Sequence, residues 1–346
     1  MDLADLGEIN LIKRLQSRLK YHPKQVIQGI GDDCAIYATS SGTHQIISTD
    51  ALVENVHFNL QTHPPEKLGI KSLAVNVSDI AATGGIPRIA VITLGLPRNF
   101  SVAFLDRFYS GLNQASELYQ VAWVGGDTVA SPKHFFINVT ILGEVKKNRF
   151  FTRQGARAGD KIFVTGTLGD ASLGLKILQS GTKKKWNGSA ASRKKLVERH
   201  LAPTARIVES NELVKSRLKV TAMIDVSDGL AQDLNQLLTA NGVAATLQKN
   251  RLPASRQFTG FCRKNSLNPL KYILYGGEDY ELLFTLKAED VYTLRESFDE
   301  FGSPVTQIGE IRQGRGITLI DEHGRRETLS EPLGFNHFTA KRTPGK

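Results

Sequence analysis

Short apolar runs alternate with segments of helical spacing along almost the whole chain, and this alternation is interrupted only once. In the first block, strand-like runs occupy 45–49, 88–96, 121–124 and 135–145, and helical spacing covers 6–20, 65–82 and the residues after Ser101. The stretch 146–160 is basic, contains glycine and has no clean period. Alternation on both sides of it predicts an α/β (α+β) fold with two domains, 1–148 and 149–346.

The second block repeats the same kinds of segment. Strand-like runs lie at 161–166, 220–224, 243–248 and 280–286, and helical spacing lies at 170–179, near 193–217, from 230 onward and near 288–300. Short strands complete it toward the C-terminal end. We therefore expect a separate α/β unit in this half.

The composition is that of a soluble globular protein. No uncharged apolar run reaches the roughly 18 residues that a membrane span needs. The first residues, MDLADLGEIN, are acidic and lack the basic start and apolar centre of a signal peptide. The two cysteines, Cys34 and Cys262, are not in a metal-ligand spacing. These features predict a cytoplasmic protein that does not cross a membrane.

The chain carries a net charge of +10, from 44 basic and 34 acidic residues. The excess is concentrated at 146–149, 182–186, 192–196 and in the tail KRTPGK. Such runs are typical of solvated loops, and they can also attract a polyanion or a phosphorylated small molecule. No helix-turn-helix, zinc-finger or aromatic RNA-binding signature accompanies the charge, so we expect no nucleic-acid partner.

Six short motifs place a carboxylate beside Gly, Ser or Thr, next to an apolar run. They are GIGDDCA (Asp32, Asp33), IISTDALV (Asp50), AVNVSDIA (Asp79), WVGGDTVA (Asp127), TAMIDVSDGL (Asp225, Asp228) and YGGEDYELLF (Glu278, Asp279). Any one of them could be a helix cap or a turn. However, an ionised carboxylate near a core is costly unless it is paired or metal-bound, and none of these motifs contains Lys or Arg.

Magnesium bound together with a nucleotide would compensate these acids. Oxygen ligands from Asp, Ser and Thr suit Mg²⁺, whose shell is usually completed by substrate phosphates. A helix beginning near Asp228 would also offer backbone N–H groups to an anion. The Walker phosphate loop, the protein-kinase catalytic loop and a Ser–His–Asp or Cys–His arrangement are all missing from the sequence. The pattern therefore predicts a nucleotide site with several Mg²⁺ ions.

The motifs, read in order from about residue 6 to the GFNHF near 338, resemble the thiamine-monophosphate kinase family. The resemblance is carried by GIGDD, ISTDALVENVHF, KSLAVNVSDIAATGGIP, GGDT, TRQGARAGDKIFVTGTLGDASLGL, IDVSDGL and GGEDYELLFT. The wider superfamily includes aminoimidazole ribonucleotide synthetase and selenophosphate synthetase. The resemblance implies an N-terminal domain that dimerises through a mixed sheet, a C-terminal α/β domain, and ATP bound across a homodimer.

The resemblance also implies roles for individual residues. It implies Mg²⁺ ligands at Asp33, Ser48, Thr49, Asp50, Asp79, Asp127, Asp225 and Asp228. It implies ATP contacts at Gly126, Asp127, Arg153 and Ser227, and contacts to the thiamine end of the substrate at His57, Glu278 and Phe335. An aromatic side chain suits stacking on a heteroaromatic cation, and a carboxylate suits its charge.

The implied reaction is ATP-dependent phosphorylation of thiamine monophosphate to thiamine diphosphate by direct in-line transfer. The implied cofactor is Mg²⁺, in several copies, with ATP as co-substrate, while a requirement for K⁺ stays open. No catalytic base is expected. Two alternatives remain at this point: another ATP enzyme of the superfamily, similar to aminoimidazole ribonucleotide synthetase or selenophosphate synthetase, and a basic nucleic-acid-binding protein on the same scaffold.

Overall fold

The computed structural model describes residues 6–18, 21, 23–39, 42–181, 185–216, 218–330 and 334–335. The predicted end of the first helix at 19–20, part of a basic run at 182–184 and the basic tail 341–346 lie outside the described residues.

The N-terminal half is a six-stranded mixed sheet covered on one face by two long helices. Its elements are α1 (Glu8–Gln16), β1 (Val26–Gln28), β2 (Ala35–Ala38), β3 (Thr43–Val53), α2 (Pro65–Ala82), β4 (Ile86–Leu96), α3 (Val102–Tyr119), β5 (Ala122–Ala130) and β6 (Phe136–Lys146). The strand order is β1-β2-β3-β6-β4-β5, with β4 and β5 parallel and the other neighbours antiparallel. Alternate residues of β6 are buried, so one face of this sheet meets the helices.

Helix α2 is buried along almost its whole length. It packs on β3, β6 and α3 in its own half, and on α6 (Ile207–Ser216) and β8 (Val220–Asp225) in the other half. Polar side chains such as Lys71, Asn76 and Ser78 are buried on it together with Leu68, Leu73 and other apolar residues. A helix that is buried on all sides and carries polar groups must find partners for them within the protein. Those partners lie in both halves.

The C-terminal half is built on a seven-stranded sheet. Its elements are β7 (Lys161–Thr165), α4 (Asp170–Ser180), α5 (Ala190–Leu201), α6, β8, α7 (Leu230–Asn241), β9 (Ala244–Gln248), α8 (Arg256–Lys264), α9 (Pro269–Tyr275), β10 (Leu282–Leu286), α10 (Val291–Phe301), β11 (Val305–Arg312), β12 (Gly316–Ile320) and β13 (Arg326–Thr328). The order is β13-β12-β9-β11-β7-β10-β8, and only β9 and β12 pair in parallel among the described strands.

The two halves share a hydrophobic core in addition to having one each. Ala81 and Ala82, at the end of α2, pack with Phe163, Met223 and Phe284 of the second sheet. Ser210 of α6 donates a 2.6 Å hydrogen bond to the carbonyl of Ala81. The end of α2 is therefore fixed against the C-terminal sheet.

The expected mixed α/β architecture in two halves is confirmed, and several elements differ in extent. The predicted strand 121–124 is the start of β5, which continues through the Gly-Gly-Asp motif to Ala130. The region near 193–217 forms two helices, α5 and α6. Strands β1 and β2 and helices α8 and α9 were not predicted. None of the helices among the described residues is long and apolar enough to cross a membrane.

Candidate active site

Three carboxylates from distant parts of the chain meet where the two halves join. Asp33 precedes β2, Asp79 lies in the last turn of α2, and Asp225 is the last residue of β8. Each offers an oxygen that lies within 4.8 Å of the corresponding oxygens of the other two. The sequence predicted all three as Mg²⁺ ligands, and the structure brings them together.

Hydroxyl and amide groups orient the acids of this cluster. Ser48 donates a short hydrogen bond to Asp79 Oδ2, and Ser78 donates to Asp225 Oδ2 at 2.5 Å. The amide oxygen of Asn76 accepts from the backbone N–H of Asp50 at 3.1 Å. Because side chains alternate along a strand, Ser48 and Asp50 of β3 lie on the same face of the sheet as the cluster.

Burial and mutual repulsion raise the pKa values of Asp50, Asp79 and Asp225. Burial, followed by the charge of Asp33, raises the pKa of Asp50 to about 6 and that of Asp225 to about 8. Burial and the charges of Asp50, Asp225 and Asp33 raise the pKa of Asp79 well above its ordinary value. A set of carboxylates with this electrostatic environment gains stability from any cation that enters it.

The residues of the cluster fit divalent cations. Asp33 Oδ2 is buried, and within the described part of the chain it has no hydrogen-bond partner. Buried polar atoms without partners are rare, and a water molecule or an ion commonly satisfies them. Carboxylate and hydroxyl oxygens are the hard donors that Mg²⁺ prefers. Asp33, Asp79 and Asp225, with Ser48 and Asp50 beside them, therefore form a donor set suited to Mg²⁺.

Arg153 lies beside the cluster and is anchored to it. Its Nη2 donates to Asp33 Oδ1 at 2.5 Å, and its Nη1 donates to Gln236 Oε1 at 2.8 Å. Its backbone N–H donates to Asp32 Oδ2 at 3.1 Å. Although burial opposes it, the charges of Asp33 and Asp32 raise the pKa of Arg153, so the guanidinium stays charged. It supplies a cation at the edge of the acidic cluster.

Ser227 and Asp228 lie between β8 and α7, where a helix N-terminus begins. Asp233 Oδ2 accepts hydrogen bonds from the backbone N–H groups of Asp228 and Gly229, both at 3.1 Å. Burial, followed by the charge of Glu8, raises the pKa of Asp228 to about 7. The backbone N–H of Phe335 donates to the carbonyl of Asp228 at 3.3 Å. Phe335, predicted as a substrate residue, thus lies next to a predicted metal ligand.

Glu278 and His57 are joined through Lys71. Lys71 Nζ lies 2.5 Å from Glu278 Oε1 and 3.5 Å from the carbonyl oxygen of His57. His57 Nδ1 accepts a 3.0 Å hydrogen bond from the backbone N–H of Val53. Glu278 also lies 2.6 Å from His200. Two predicted substrate residues from different halves of the chain are therefore neighbours.

Thr49, Gly126 and Asp127 form no hydrogen bond or ion pair with the acidic cluster among the described residues. The hydroxyl of Thr49 bonds Asn138, Val139 and Thr140, which places it on the opposite face of the sheet from Ser48. Gly126 and Asp127 lie in β5, which is exposed along its whole length. Their roles remain predictions from the resemblance.

Sequence reasoning missed several residues that position the site. Lys71 and Ser78, seven residues apart on α2, share a face of the helix and contact Glu278 and Asp225 respectively. The helix carries several other polar residues, so this spacing alone did not single out Lys71 and Ser78. Asp233 and Gln236 follow the VSDGL motif by about one helical turn, but nothing in the sequence indicated that Gln236 would bind Arg153.

Family models match both halves of the chain. The model described as AIR synthase related protein, N-terminal domain, matches residues 31–145, and the corresponding C-terminal domain model matches residues 157–322. The fold and the acidic site thus define a protein of the AIR synthase related class.

Similar proteins of known function indicate which family within this class the chain resembles. A thiamine-monophosphate kinase of Aquifex aeolicus is 38% identical over 338 residues, covering 98% of this chain and 100% of the relative. That of Bacillus subtilis is 34% identical over 333 residues, covering 96% and 100%. A solved structure of AaThiL complexed with AMPPCP and TMP superposes with a TM-score of 0.84 at 37% identity, covering 98% of this chain and 99% of that one. The chain belongs to the thiamine-monophosphate kinase family.

Proposed function

We propose that this protein transfers a phosphoryl group from ATP to thiamine monophosphate, giving thiamine diphosphate and ADP. The observation that carries the proposal is the carboxylate cluster of Asp33, Asp79 and Asp225, in a chain that aligns with thiamine-monophosphate kinases over nearly its full length. The complex of the similar AaThiL with AMPPCP and TMP supports the choice of both substrates.

Several Mg²⁺ ions would be held by the acids at the junction of the two halves. The proposed ligands are Asp33, Ser48, Asp50, Asp79, Asp225 and Asp228, with Thr49 and Asp127 included on the resemblance alone. When bound, Mg²⁺ neutralises phosphate oxygens and so lets two polyanions approach each other. Ser48 and Ser78 keep the carboxylates of Asp79 and Asp225 in place for this.

The acceptor needs no general base. The second pKa of a phosphate monoester is about 6, so its attacking oxygen is largely ionised at pH 7. Transfer is proposed to be direct and in line, without a phosphoenzyme. The work of the protein is then to align the two substrates and to exclude water.

The two ends of the site would hold different substrates. Arg153, Ser227, Gly126 and Asp127 are proposed to bind ATP, with the Arg153 guanidinium already placed beside the acidic cluster. The thiamine end is proposed to lie against His57, Glu278 and Phe335. The ring of Phe335 is 45% exposed, and an exposed aromatic face suits stacking on a cationic heterocycle.

We further infer a homodimer that forms through the N-terminal half, with 1–148 and 149–346 as the two domains. Strand β5 is an edge strand, and it exposes Trp123, Val124 and Val129. An uncovered apolar edge of this length invites aggregation unless another chain covers it. A second copy of the same strand is the occupant that we propose.

The test of the function is turnover by the purified protein. We expect thiamine diphosphate and ADP from Mg·ATP and thiamine monophosphate, followed by chromatography, and no product from thiamine. Asp79→Asn removes a proposed Mg²⁺ ligand, so we expect kcat/KM to fall by at least about a hundredfold. Asp299→Asn, an exposed change on α10, is the matched control and should retain activity.

Two results would contradict the proposal. Conversion of unphosphorylated thiamine, or no thiamine diphosphate from the monophosphate while Mg·ATP still binds, would assign the site to another substrate. A radiolabelled phosphoprotein that forms and decays at the rate of turnover would exclude direct transfer.

A further inference from the structure

Lys71 is a fully buried cation that the sequence did not single out. Its side chain is 0% exposed and sits in the middle of α2. The ammonium lies 2.5 Å from Glu278 Oε1, contributed by the other half of the chain. A buried charge is stable only when it is paired and hydrogen-bonded. The position of Lys71 is therefore tied to that of Glu278.

Each oxygen of the Glu278 carboxylate lies near a nitrogen atom of another side chain. Oε2 lies 2.6 Å from His200 Nδ1, while Oε1 faces Lys71. Burial, followed by the charge of Lys71, lowers the pKa of His200. The carboxylate therefore has a nitrogen neighbour at each oxygen, and 22% of the side chain stays exposed.

The backbone at Glu278 is strained. Glu278 has φ 67° and Tyr280 has φ 50°, a left-handed conformation that is unfavourable for residues other than glycine. Hydrogen bonds from Glu278 N to Ser227 O at 2.7 Å and from Tyr280 N to Val226 O at 2.8 Å secure the loop. Strain of this kind persists where the surroundings dictate it, and it is common at ligand sites. Lys71 is part of those surroundings.

Building on the function proposed above, we propose that Lys71 is a positioning residue for thiamine monophosphate. It fixes the Glu278 carboxylate toward the thiamine end of the substrate, and it lies against the carbonyl of His57 at the same end. Lys71 itself does not touch the reacting phosphates. It sets the affinity for the acceptor across the junction between the two halves.

Steady-state kinetics of Lys71→Met test this role. Methionine fills a similar volume without the charge, so Glu278 loses its cationic partner. We expect KM for thiamine monophosphate to rise at least about tenfold, with kcat and KM for ATP within about twofold of wild type. The matched control is Lys67→Met, one turn earlier on α2, which breaks a Lys–Glu pair with Glu198 of α5. Its KM for thiamine monophosphate should not change.

The double variant Lys71→Met/Glu278→Gln tests the same role if Lys71→Met alone fails to fold. It replaces the ion pair by two neutral side chains, so no unpaired charge is left buried. If Lys71 acts through Glu278, the double variant has the same KM for thiamine monophosphate as Glu278→Gln alone, within about twofold. Multiplied effects in the double variant would overturn the proposal. So would a wild-type KM in Glu278→Gln or in a folded Lys71→Met.

The two proposals fail in different ways. Absence of thiamine diphosphate formation by the wild-type protein would refute the proposed function. A wild type that forms thiamine diphosphate, together with variants that keep a wild-type KM, would refute only the role of Lys71.

Discussion

Asp225 shows how the acidic cluster lowers the stability of the fold when no cation is bound. It is buried, it accepts from Ser78, and its neighbours include Asp33 and Asp79. The raised pKa values of Asp225 and Asp79 reflect an unfavourable ionised state. Removing one charge should therefore favour the metal-free fold and weaken the response to Mg²⁺.

Thermal stability at different pH values tests this at the residue scale. The pKa of Asp225, about 8 in the fold, lies above the unfolded value of about 3.9, so the stability it contributes falls as pH rises between those values. We expect the Tm of the wild type in EDTA to fall from about pH 5 to about pH 8, and that of Asp225→Asn to fall by several degrees less.

Addition of Mg²⁺ supplies the complementary measurement. At about pH 8 it should raise the Tm of the wild type, and raise that of Asp225→Asn by much less, because a ligand of the folded state stabilises it by mass action. Asp299→Asn on α10 controls for the loss of one negative charge. An equal Mg²⁺ shift in wild type and Asp225→Asn would show that Asp225 is not a ligand.

Helices α2 and α3 approach each other closely in the N-terminal half. A Cβ on Gly69 would lie 2.1 Å from the carbonyl oxygen of Phe108, and one on Gly111 would lie 1.9 Å from that of Glu66. The two backbones touch where these glycines meet. This contact sets how deeply α2, with Lys71, Ser78 and Asp79, is placed against the sheet.

Substitution at this crossing should destabilise the fold. For Gly69→Ala we expect a loss of about 1–3 kcal/mol, since the new methyl group meets backbone that cannot move aside. Gly260→Ala on α8 is the control: nothing lies within 4 Å of its Cβ, and alanine favours a helix by up to about 1 kcal/mol. Denaturant unfolding measures both. A Gly69→Ala protein as stable as wild type would mean that the helices can separate without cost.

The elements that the sequence predicted well are those with strong periodicity. The range 65–82 was predicted for α2 and observed without change, because its length and apolar pattern leave few alternatives. Strand β5 was predicted too short because Gly125-Gly126-Asp127 resembles a turn. Gly126 instead lets β5 approach β4: a Cβ there would lie 1.8 Å from the carbonyl oxygen of Ile92. Close backbone approach cannot be read from one strand alone.

At the scale of the whole molecule, the motifs predicted three acids that the structure brings together, whereas the partners of these acids could not be predicted from the sequence. Asp33, Asp79 and Asp225 could be singled out because each lies in a motif that places a carboxylate near Gly, Ser or Thr, next to an apolar run. Lys71 and Glu278 are 207 residues apart, and their pairing depends on how the two halves pack. The hydrophobic pattern of a sequence indicates which residues of one element are buried, whereas the pairing of distant residues is a property of the tertiary structure.

The proposed dimer can be tested at the same scale. Val129→Asp puts a charge on the exposed edge strand β5, and we expect it to shift the mass measured by light scattering from dimer toward monomer. Val102→Asp, on the exposed start of α3, is the matched control and should leave the mass unchanged. A wild-type protein that is monomeric at micromolar concentration would remove β5 as a self-association surface.

Helix α2 packs against both halves of the chain, and this has a consequence for biosynthesis. Helix α2 ends at Ala82, and strand β8, which packs on it from the C-terminal half, ends at Asp225. The ribosome therefore adds about 140 residues after α2 before β8 is complete. At a translation rate of about 5–20 residues per second, the surface of α2 that faces the C-terminal half stays uncovered for on the order of 10 s. Nascent chains stalled within that interval should therefore be the species that recruit chaperones, and the cluster of Asp33, Asp79 and Asp225 cannot form until β8 has left the exit tunnel.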